Sequence, residues 1–146
     1  MRTQNLGGPA LFRLVRFWSR RWATLPMSPH LAHVQVAEAV HAAALRRREV
    51  SIAEIAEELG LDRSGASRMV SAAAEAGCVV KRVAGDDARR SQIELTRRGR
   101  ALLRAAHHWQ QSTFERLTAT WPDEDAQRFA SYLLRLSKQA LVEGTL

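Results

Sequence analysis

Two stretches of this chain carry side chains whose types and spacing could do chemistry. The first, DRSGASR at 62–68, sets Arg63, Ser64, Ser67 and Arg68 around Gly65 at what reads as a helix start. The second, GDDARRSQIELTRRGR at 85–100, places Asp87 beside Arg89 and Arg90 at a glycine turn and crowds more arginines behind them. A guanidinium fork matches the two acceptors on a guanine edge or the oxygens of a phosphate, and a serine hydroxyl bonds either. Neither stretch pairs a nucleophile with a base, spaces ligands for a metal, or builds a phosphate loop. The chemistry on offer is recognition of an anion, not catalysis.

The charge balance agrees. The chain holds 22 Lys and Arg against 15 Asp and Glu, a formal net charge of +7. The excess is local: Lys81, Arg82, Arg89, Arg90, Arg97, Arg98, Arg100 and Arg104 stand against Asp86, Asp87 and Glu94. Residues 1–25 carry arginines and no acid. Such zones suit an acidic partner, with duplex nucleic acid first and an anionic membrane surface as the rival. The length suits one domain with a modest core. No apolar run is long enough to span a bilayer, and the single cysteine, Cys78, fits a reducing cytoplasm.

The elements that must position these residues are legible from caps and periodicity. Leu11, Val15, Trp18, Trp22 and Leu25 recur at alternating four- and three-residue steps, one face of a helix over 10–25. LPMSPH then breaks it, with Ser28 and Pro29 as cap and first helical residue of an alanine-rich helix running to about Leu45. In VSIAEIAEELG, Ser51 and Glu54 form a capping box, Val50 can staple onto Ile55, and Gly60 supplies a left-handed stop. Asp62 caps the next helix, which is expected to end at Gly77. Two short helices across a tight glycine turn read as a helix-turn-helix.

CVVKRV and SQIEL read as strands of a hairpin with its tip at Ala84–Arg90. Thr96 caps a long helix with a stripe of Leu102, Ala106, Trp109, Thr113 and Leu117. Pro122 and the acids Asp123–Asp125 open a last helix, striped by Ala126, Phe129, Leu133, Leu136 and Ala140. The fold class is therefore mostly α with a small β-hairpin wing: a winged helix-turn-helix with helices at both ends. In that architecture the second helix presents Arg63, Ser64, Gly65, Ser67 and Arg68 to the major groove, Gly65 letting the DNA backbone come close. The wing reaches a minor groove, where Asp87 orients Arg89 and where Arg90 or Lys81 contacts phosphate.

The run SIAEIAEELGLDRSGASRMVSAAAEAG, followed by DARRSQIELTRRGRALL, resembles the MarR family of dimeric winged-helix transcription regulators. The wing fits that family's D-x-R-x5-L-T pattern at Asp87, Arg89, Leu95 and Thr96. The resemblance covers nearly the whole chain and implies a single MarR-like domain over 1–146. Within it, 46–96 would form the DNA-binding lobe, and 8–27 with 97–142 the helical dimerisation lobe. It implies a cytoplasmic homodimer, most often a repressor, with recognition helices about 34 Å apart on a pseudopalindromic duplex. It also implies a small aromatic or anionic effector held between the dimer helices and the DNA-binding lobe. The chain departs from the family in carrying Ala73 where a large aliphatic residue is usual, and Gly65–Ala66 where a β-branched one is.

Other features have plainer readings. Trp18, Trp22, Trp109 and Trp121, with Arg13, Arg16 and Arg20 near the first two in sequence, could line an effector pocket. Aromatic stripes at helical spacing are more often core. His30, His33 and His41 share a helix sector and with His107 or His108 could approach zinc, but no cysteine or carboxylate pattern supports a metal, and no cofactor is expected. Cys78 reads as a buried structural thiol. The rival functions are a membrane-surface protein using its basic amphipathic first helix and an architectural nucleic-acid binder.

Overall fold

The computed structural model describes residues 6–21, 24, 30–46, 49–83 and 91–143. The chain divides into two compact units, Met1–Leu31 and Ala32–Leu146. The first unit contains α1 (Gly7–Arg21), which begins three residues before the expected start and whose residues are none of them buried. Its last turn is closed by Arg21, whose Nη1 donates to the Phe17 carbonyl at 2.9 Å while the guanidinium lies 3.8 Å above the Phe17 ring. Cations suit that helix end because its carbonyls carry the negative pole. Trp22, Leu25, Ser28 and Pro29, expected to finish this helix and start the next, lie outside the described residues.

In the second unit the core begins on α2 (Leu31–Arg46). Its Val36, Ala39, Val40 and Ala43 form one buried cluster with Val50, Ile55, Val70, Ala73, Cys78, Val79 and Ile93. The small side chains let backbones approach, and Ala73 is itself fully buried. Cys78 is buried in the same cluster, as its plain reading expects.

The helix-turn-helix follows the local signals. At the start of α3 (Ile52–Leu59) the Glu54 carboxylate accepts the Ser51 N–H at 2.8 Å. Gly60 ends it at φ 63°, a left-handed conformation costly for a residue with a Cβ, and Leu61 N–H closes the turn on Ala56 O at 2.9 Å. Asp62 Oδ1 then accepts the Gly65 N–H at 2.9 Å and starts α4 (Arg63–Glu75). That helix stops two residues before the expected end, and Gly77 at φ 76° turns the chain into the hairpin.

Strands β1 (Val79–Val83) and β2 (Ser91–Leu95) pair antiparallel, with Val79 opposite Leu95 and Lys81 opposite Ile93. Ile93 is buried in the core, and its N–H reaches Val50 O at 2.7 Å, fastening the hairpin to the start of the helix-turn-helix. The tip, residues 84–90, lies outside the described residues.

Thr96 joins hairpin to helix. Its Oγ1 accepts from Gly99 N–H at 3.0 Å, capping α5 (Arg97–Leu117), and donates to Gly77 O; its own N–H donates to Cys78 O at 3.1 Å. The buried face of α5 is Gly99, Leu103, Ala106 and Thr113, one position off the expected stripe at its start, and Leu117 is exposed. A three- and four-residue pattern drifts around a straight helix over six turns, so one seam cannot hold for its whole length. On α6 (Asp123–Glu143), Ala126, Phe129 and Leu133 are half-buried, and no residue of the helix is fully buried. Phe129 stacks on Phe114 at 6.0 Å and meets Trp121 at 5.3 Å.

Candidate nucleic-acid interface

Helix α4 has two unlike faces. Ala66, Val70 and Ala73 are buried against the core. At 100° per residue the opposite face carries Ser64, Arg68, Ser71 and Glu75. Ser64, Arg68 and Glu75 are exposed and Ser71 is half-buried. Arg63 is exposed at the first turn, and Gly65 and Ser67 are half-buried at the flank. The five residues expected on α4 therefore share its N-terminal two turns, with Ser64 and Arg68 directed most squarely away from the core. The acid on this face, Glu75, sits at the opposite end.

Gly65 has a role inside the fold that the sequence reading did not assign. A Cβ there would lie 2.6 Å from Asp62 Oδ1, the atom that caps the helix. The bare backbone leaves room for the cap.

The wing strands bring further cations to the helix. Lys81 Nζ donates to Ser71 Oγ at 3.1 Å, so a residue expected on phosphate is tethered to the outer face of α4 in the unbound chain. Ser71 was missed by the sequence reading, although it lies seven residues beyond Ser64 and three beyond Arg68, on the same helix face. Arg82 Nε pairs with Glu94 Oε2 at 2.8 Å across the hairpin, and Arg100 Nη1 donates to Leu95 O at 2.8 Å. Arg97, Arg98 and Arg104 stay exposed on α5. Asp87, Arg89 and Arg90 lie outside the described residues.

The histidines do a different job. His107 Nε2 and Gln110 Nε2, one turn apart on α5, both meet the Glu38 carboxylate of α2, at 2.9 and 3.1 Å. The His41 ring stands edge-on to His107 at 6.0 Å. These contacts fasten the long helix to the core. Among the described residues no group of three or more His, Cys, Asp or Glu is arranged to hold a metal ion. Nor is any described helix long and apolar enough to cross a membrane.

A capped helix-turn-helix, a hairpin fastened to it by Ile93 and Lys81, and two trailing helices define a winged helix-turn-helix protein of mostly α class. Residues 30–90 match the sequence model of the MarR family. The matched stretch takes in α2, the helix-turn-helix and β1, so this part of the chain is similar to the winged-helix lobe of MarR-family proteins. Solved structures carry the same fold. An E. coli MarR in its apo form superposes with a TM-score of 0.66 at 20% identity, covering 88% of this chain and 96% of that one. A MarR protein from Peptoclostridium difficile gives 0.61 at 15%, covering 99% and 94%. A mutant of S. aureus MepR bound to oligodeoxyribonucleotide gives 0.60 at 16%, covering 90% and 96%. No curated protein sequence matches the chain.

Proposed function

We propose that the chain is a homodimeric, sequence-specific repressor that binds duplex DNA through α4 and the wing. The observation that carries this reading is the outer face of α4: Ser64 and Arg68 project at its N-terminal end while Ala66, Val70 and Ala73 anchor the opposite face. A helix so held offers rigid donors to a base edge, as major-groove readout requires. The oligodeoxyribonucleotide on the structurally similar MepR mutant is consistent with that use of the fold.

On this reading Arg63, Ser67 and Lys81 reach phosphates, and Lys81 exchanges its bond to Ser71 for one to the DNA backbone. Asp87, Arg89 and Arg90 form the wing tip, Arg89 entering the minor groove. Dimerisation is supported by apolar side chains left exposed on the terminal helices, among them Phe12 and Val15 on α1 and Leu134 and Leu141 on α6. A symmetric partner would cover them. The regulator works in the cytoplasm by binding rather than by catalysis, and a small aromatic or anionic effector modulates its grip.

The test is selection from a random duplex pool, followed by titration against the winning and a scrambled duplex over a salt series. Preference for a pseudopalindrome, persisting as salt weakens both affinities, supports the proposal. Equal affinity for every duplex refutes it.

A further inference from the structure

Ser71 and Lys81 belong to different elements and meet on the outer face of α4, where Lys81 Nζ donates to Ser71 Oγ at 3.1 Å. The strand register explains the reach. Lys81 stands opposite Ile93, and residues opposed across an antiparallel pair share one face of the sheet. Ile93 is buried in the core, so the Lys81 side chain leaves the hairpin on its core side, at the rim where β1 becomes exposed. Both ends of the contact are anchored. Val70, next to Ser71, is fully buried, and the Ile93 N–H is fixed to Val50 O at 2.7 Å.

The bond leaves donors to spare. An ammonium has three donors and gives one to Ser71, whose hydroxyl accepts it and still has its own O–H to give. Two donors from two elements therefore stand one hydrogen-bond length apart, on the helix face that carries Ser64 and Arg68. That spacing suits two oxygens of one phosphate, with the ammonium opposing its charge. Glu75, one turn beyond Ser71, is the acid on that face, so an anion is favoured on the Ser71 side of it.

We propose that Ser71 and Lys81 together hold a single phosphate of the DNA backbone. When the duplex docks, the bond between them is exchanged, and the ammonium and the rotated hydroxyl each donate to an oxygen of that phosphate. Held in place beforehand, Lys81 loses less rotamer freedom on contact. Recognition helix and wing strand are thereby tied to one point on the duplex, which sets the register in which Ser64 and Arg68 meet base edges. The inference rests on α4 and the wing facing DNA, and it adds Ser71 as a phosphate ligand rather than a base reader.

The experiment uses the full chain, its selected duplex, and copies of that duplex in which one phosphate at a time is an uncharged methylphosphonate. Ser71→Ala, Lys81→Met and the double variant are compared with wild type, and thermal melts check the fold. Alanine suits the helix, and methionine keeps an apolar stem in place of the lysine's. The pair predicts one position in each half-site where neutralisation weakens wild-type binding at least about fivefold and costs Lys81→Met nothing. On the unmodified duplex Ser71→Ala binds at least about threefold more weakly, and adds little further once Lys81 is replaced. Lys81→Met lowers the salt slope by about one per bound chain, while Ser71→Ala leaves it unchanged. Selection with Ser71→Ala returns the wild-type site.

An equal fall in Ser71→Ala with and without Lys81 overturns the shared phosphate. So does unchanged affinity in Ser71→Ala, an altered base preference in that variant, or a scan with no position that Lys81→Met ignores. Each of these is read on a chain that still prefers its duplex, so the DNA-reading function stands when the pair fails. A wild-type chain with no duplex preference overturns that function, and this inference with it.

Discussion

Replacing Gly99 by alanine tests the joint between α5 and the hairpin. A Cβ at this position would lie 1.9 Å from Cys78 O and 2.9 Å from the Cys78 carbonyl carbon. Both are backbone atoms, and they cannot swing aside as a side chain would. The Cys78 carbonyl is held by the Thr96 N–H, and Gly77 O by the Thr96 hydroxyl, so moving the strand strains two hydrogen bonds at once. An alanine in an open helix position ordinarily gains up to about 1 kcal/mol over glycine. Overpacking of a tight site costs about 1–3 kcal/mol, and each hydrogen bond given up about 1 kcal/mol more.

The net expectation is a destabilisation of about 2–4 kcal/mol. It is read as a lowered urea midpoint by circular dichroism at matched protein concentration, which removes the mass-action effect of dimerisation. Gly8→Ala is the control, since nothing lies within 4 Å of a Cβ there, and its midpoint should stay or rise. Should Gly99→Ala unfold at or above the wild-type midpoint with the same slope, the clamp between α5 and the start of β1 does not exist as described.

Two further substitutions address DNA contact. Arg68→Ala should weaken binding to the selected duplex by about 1–3 kcal/mol and relax preference at one or two base positions, with the melt unchanged; a repeated selection returning the same site would count against it. Arg89→Ala should cost about as much if the wing enters the minor groove. A gel-shift titration with no change would remove the wing from the interface.

The elements most legible in the sequence are those whose cause is local. Glu54 at Ser51, the left-handed Gly60 and the Asp62 cap each act within four residues, and α3 and α4 form where those residues put them. The hairpin strands also follow their alternation, with Ile93 turned to the core. The long helices were harder to place by pattern. Leu103 rather than Leu102 is the buried leucine of α5, because the helix face is set by what it packs on rather than by propensity. The contacts that assemble the site span still longer distances. No spacing rule brings Lys81 to Ser71, or Glu38 to His107 and Gln110. Gly65 was legible as a position where space is needed, and the fold adds one neighbour to that space, the Asp62 carboxylate that caps the helix.

Hydroxyl-radical footprinting on the selected duplex reads out whether two copies of α4 and of the wing grip it together. A paired grip gives protected tracts related by a two-fold axis and centred about one helical turn apart, with additional minor-groove protection on their flanks that disappears in Arg89→Ala. Protection of a single unsymmetrical tract, or uniform protection along the duplex, would contradict a paired grip by α4 and the wing.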